Sequence, residues 1–217
     1  QLQNYISQQR YRWERTNEPL PSELDEQVLF AFEALFEKSS SPGNYLSGLQ
    51  SFYRACRDFR LLRMIPDAVV GRTPQQVYSF LGQLRHTVLS DMWKEATADE
   101  ILGRVAELRK RELTAIDRRA LDLLEAIVER KSAEVLNEPA PHIAAAVDAL
   151  KRAFEHEWAD GEGRQMAQFL DGLGHIEHAE LSAEQFRQLR ELHRREKSGT
   201  DDRLFTGWYL ANTLFHP

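Results

Sequence analysis

A chain of 217 residues is long enough to bury a core without disulfides or metals, as one large domain or two small ones. Its apolar share of 42% and charged share of 29% are those of a globular protein and exclude a disordered one. The net charge of −6 argues against bulk attraction to nucleic acid or anionic membrane and leaves only local basic patches to provide it.

No apolar run approaches the roughly 20 residues that span a bilayer, so no membrane helix is expected. The first ten residues, QLQNYISQQR, hold no apolar h-region and do not read as a signal peptide. Cys56 is the only cysteine, which rules out disulfides within the chain and agrees with a reducing, cytoplasmic setting. The chain starts at Gln1 rather than Met and closes on the apolar stretch GWYLANTLFHP. A trimmed tag or a piece of a longer protein is the expectation from that pair of features.

Apolar residues recur at threes and fours almost throughout, the helical period. Leu29, Phe30, Phe32, Leu35 and Phe36 place one side of a first helix in the core, with Ser22 as its N-cap and acids in its first turn. SSSPGN, residues 39–44, is a loop by composition. Leu46, Leu49, Phe52, Tyr53, Cys56 and Phe59 predict a second helix, and residues 67–72 a connection. Thr73 then caps a helix with Pro74 at its first position, whose core face is Val77, Phe80, Leu81, Leu84 and Val88.

Thr97 with Glu100 has the spacing of a capping box, followed by Ile101, Leu102, Val105 and Leu108. Thr114 with Asp117 repeats the pattern ahead of Ile116, Ala120, Leu123, Leu124, Ile127 and Val128. Because no Gly or Pro lies between Arg104 and Leu136, a single helix of about 40 residues, roughly 60 Å, is the alternative to two. NEPAP, residues 137–141, closes this region and is the one place to divide the chain, into 1–136 and 142–217. Ile143, Val147, Leu150, Phe154 and Trp158 predict the next helix, stopped near ADGEG. Met166, Phe169, Leu170 and Leu173 follow, then Phe186, Leu189, Leu192 and His193 behind a Ser182–Gln185 box, and a last helix from Asp201. The whole reads as all-α, about nine or ten antiparallel helices in an irregular bundle or short non-repeating α-solenoid. No period of 30–45 residues recurs, which disfavours tetratricopeptide-like arrays.

Three constellations are candidates for chemistry or binding. In FLDGLGHIEHAE, Asp171, His175 and His178 stand four and three residues apart, on one face if the helix is unbroken. Gly172 and Gly174 interrupt that helix, each costing about 1 kcal/mol. No Glu stands three residues before a His, the pairing that a binuclear carboxylate site wants. His142 and His156 are the only further ligands offered for a mononuclear site, and no metal or cofactor is expected. Arg10, Arg12 and Trp13, in RYRWER, and the stripe Arg187, Arg190, Arg194 and Lys197 form the second set. They combine cations with aromatics as nucleic-acid binders do, yet Glu14, Glu18, Glu184, Glu191 and Glu196 interrupt them. The third is the closing segment, where Leu204, Phe205, Trp208, Tyr209, Leu214 and Phe215 cover most of a helix's circumference. Such a helix is buried on several sides, as a plug in its own bundle or as an anchor on a partner.

Cys56, on an aromatic face, reads as a buried inert thiol. No Gly-x-Ser-x-Gly and no phosphate-binding Gly-Lys-Ser/Thr is present. The expectation is therefore a non-enzymatic interaction or scaffold module of a cytoplasmic, bacterial protein, its partner another protein or the remainder of a longer chain. The alternatives are a nucleic-acid-associated accessory subunit that uses the basic stripe, and an enzyme built around Asp171, His175 and His178.

Overall fold

The computed structural model describes residues 22–56, 58, 60–87, 95–135 and 139–159. It also describes residues 4, 8, 11, 12, 15, 162, 165 and 166. Among them the chain is all-α with no strand, in seven α-helices and one 3-10 turn. The helices are α1 (Ser22–Lys38), α2 (Leu46–Cys56), α3 (Arg60–Asp67), α4 (Pro74–Thr87), α5 (Glu95–Leu108), α6 (Ala115–Val135) and α7 (Pro139–Glu155). The 3-10 turn, Pro42–Tyr45, fills the predicted loop before α2. No helix among the described residues is long and apolar enough to cross a membrane.

α6 and α7 pack along each other as an antiparallel hairpin, and α7 starts at Pro139, so Pro139, Ala140 and Pro141 of the expected connection NEPAP are its first residues. α5 packs on α6 and on α3, and α3 packs on α1. One apolar cluster runs through all seven helices, from Val28, Phe32 and Phe36 through Leu62, Phe80 and Ile101 to Leu124, Leu150 and Met166. At its α1 end Phe32 meets Phe52 edge-on with ring centroids 5.6 Å apart, a favoured aromatic geometry.

Helix starts follow side-chain oxygens. Thr114 and Asp117 form a true box: Asp117 Oδ2 accepts from the Thr114 N–H at 3.1 Å, and Thr114 Oγ1 from the Asp117 N–H at 3.3 Å. Residues 109–114 thereby separate α5 from α6, and two helices replace the single long one. Thr73 forms a second box with Gln76, whose Oε1 accepts from the Thr73 N–H at 3.1 Å.

Four readings of the sequence change. The expected second helix is two, because Asp58 caps a new start: its Oδ1 accepts from the Arg60 N–H at 2.9 Å. Cys56 thus closes α2 instead of lying mid-helix. Thr97 is no cap: α5 begins at Glu95, and the buried Thr97 hydroxyl meets the Tyr53 hydroxyl at 3.4 Å. Trp158 lies beyond α7, which stops at Glu155. Phe30 is 65% exposed although assigned to the core side. It stands about 100° around α1 from Leu29, outside the arc of Leu29, Phe32 and Phe36.

Candidate functional site

α1, α3 and the C-terminal end of α5 wall a groove of about 660 Å³. Phe36, Met64 and Leu108, buried in the core, and the partly exposed Val70 lie at its base, while Glu33, Glu37, Arg60, Arg63, Asp67, Arg104 and Arg111 supply its charges. Each wall is fixed from behind. The Arg72 guanidinium donates to the Phe36 carbonyl, to the Glu37 carbonyl at 2.9 Å and to the Ser39 carbonyl at 2.8 Å. It thus satisfies the open C-terminus of α1 and complements that end's negative dipole. The next turn of chain, where Gly71 takes φ +71°, is held by Asp117, whose Oδ1 accepts the Gly71 N–H at 2.7 Å. Left-handed backbone there suits glycine.

Three of the four groove arginines are engaged by carboxylates. Arg104 donates to both oxygens of Asp67, at 2.8 and 2.7 Å, and to Glu107 at 2.7 Å. Arg63 reaches the other oxygen of Glu107 at 2.7 Å. Arg60 clasps Asp58 and reaches Glu26 at 2.6 Å. These bonds hold the Arg60 and Arg104 guanidinium groups still more firmly protonated, chiefly through Asp58 and Asp67 respectively. The same contacts hold the Asp58 carboxyl below its ordinary range through Arg60, and the Glu107 carboxyl through Arg104 and then Arg63. The carboxylates of Glu33 and Glu37 and the guanidinium of Arg111 have no ion-pair or hydrogen-bond partner among the described residues.

A second polar cluster lies inside the fold. Arg119 and Glu162 are both 0% exposed, with Arg119 Nη1 2.5 Å from Glu162 Oε1. Arg119 also donates to the carbonyls of Ala153 at 2.9 Å, His156 at 2.5 Å and Glu157 at 3.1 Å, closing the C-terminus of α7. Trp158 covers the guanidinium face, its ring centroid 4.0 Å from Arg119 Cζ. Tyr78 donates its hydroxyl to Glu162 Oε1 at 3.0 Å, and Oε2 accepts the Ala159 N–H at 2.9 Å. Nearer the surface, Asp122 accepts from Arg109 at 2.5 Å, and Glu125 accepts from Arg152 at 2.8 Å. This internal cluster is a fastening, since its polar groups are directed at one another.

No family model, no curated protein and no solved structure matches this chain. The reading of the site therefore rests on its own residues.

The two histidines offered as extra metal ligands are occupied elsewhere. His156 Nε2 lies 2.6 Å from Asp122, and His142 Nδ1 lies 2.7 Å from Glu129, both pairings within the α6–α7 hairpin. Asp171, His175 and His178 lie outside the described residues, as do Leu204, Phe205, Trp208, Tyr209, Leu214 and Phe215. Arg10, Trp13, Arg187, Arg190, Arg194 and Lys197 lie outside them too. Arg12 is described, helical and exposed. Beside it Arg15 stacks on Tyr11, 5.5 Å from the ring centroid, in an i, i+4 pair.

Glu33, Glu37 and Arg111 have no role in the sequence reading, and Phe30 is assigned there to the core. A signal existed: Glu26, Phe30, Glu33 and Glu37 recur at four, three and four, a stripe as regular as the core's. Arg119 carried one as well. It sits three residues after Ile116 and four before Leu123, on the apolar arc of α6.

Proposed function

We propose that the chain is a non-catalytic protein-interaction module, an irregular helical bundle whose docking face is the groove between α1, α3 and the end of α5. The observation that carries this reading is Phe30, a large apolar ring 65% exposed on α1 and in line with Glu33 and Glu37, beside a groove rimmed by fixed charges. Exposed aromatic anchors among polar groups are common at protein interfaces. Nucleic acid suits the groove less well, because Arg60, Arg63 and Arg104 are bonded to carboxylates and are not presented to phosphate.

A photo-crosslinking residue placed at Phe30 tests the reading in native extract against one placed at Asp148, an exposed position on α7. The expected outcome is a discrete protein adduct from position 30 alone. Identical adducts from both positions would overturn the docking face.

A further inference from the structure

We draw no further inference here: the strongest candidate, the side-chain cluster of Arg109, Asp122, Glu125, Arg152 and His156 against the α6–α7 hairpin, carries nothing because its two carboxylates are bonded to its own arginines and histidine at 2.5–3.4 Å, and nothing in the structure points to a ligand for it.

Discussion

Arg119 shows how much one side chain holds in this molecule. Its guanidinium joins α6 to the end of α7, to Trp158 and to Glu162, and both charged side chains are fully buried. A buried ion pair adds little over apolar packing, but removing one partner strands the other charge and costs about 3–5 kcal/mol. Arg119→Met is therefore expected to lower stability by about that amount, and Arg119→Met/Glu162→Leu to recover most of it. Urea denaturation of the two single variants and the double decides this; additive losses would refute the coupling. Tyr78→Phe removes one bond to the same carboxylate and should cost about 1 kcal/mol.

Asp58 gives a pH dependence of known sign. Arg60 holds its carboxyl below the ordinary range, so the folded state binds that proton more weakly than the unfolded chain does. The stabilisation is complete above the unfolded value and is lost as pH falls through the folded one. Asn retains the cap but not the charge. Asp58→Asn should therefore be less stable than wild type by a margin that holds from neutrality to about pH 5 and narrows below about pH 4. Melting temperatures across that range test it, and a margin that widens in acid would reverse the assignment.

At the scale of elements, boundaries are set by which oxygen reaches which N–H. Thr114 and Asp117 cap each other, and Asp117 also holds the Gly71 N–H, joining the start of α6 to the turn before α4. Thr114→Ala should cost about 1 kcal/mol, whereas Asp117→Ala should cost about 2 because it also strands a backbone donor. Equal losses in urea would show that the Gly71 bond contributes nothing. This box was legible because its pattern is local and the chain leaves the helix just before it. Thr97 and Glu100 carry the same spacing, but Glu95 and Ala96 already continue the helix, and the Thr97 hydroxyl turns to Tyr53 instead. The start of α3 was overlooked for the opposite reason. Apolar residues run on at helical spacing from Phe52 past Phe59, and the single Asp58 that interrupts them has no matching residue downstream.

For the whole molecule, the period of threes and fours predicts a circular dichroism spectrum with at least about 60% helix, well above the third usual for globular proteins. A substantial strand signal would contradict the fold. Phe30→Ser should change stability by less than about 0.5 kcal/mol, since the ring is 65% exposed, while it removes the apolar ring of the proposed docking face. A large loss of stability would show that Phe30 is packed, and would withdraw it from the proposed docking face.

While it left one helix or two open between residues 97 and 136, the sequence by itself determined the helical class, most of the apolar faces, the connection that begins at residue 39, and two of the helix caps. All of these depend on neighbours within about one or two turns, where spacing and side-chain type suffice. Only the tertiary structure decided which charges remain free. Arg104 is neutralised by Asp67 across 37 positions, Arg72 closes the end of α1 across more than 30, and Glu162 reaches Tyr78 across 84. Charge is plentiful on α1, α3, α5, α6 and α7, so composition cannot separate the engaged from the unengaged. α1, α3 and α5 pack so that Glu33, Glu37 and Arg111 have no partner among the described residues that line the groove, and that is a property of packing at long sequence separation.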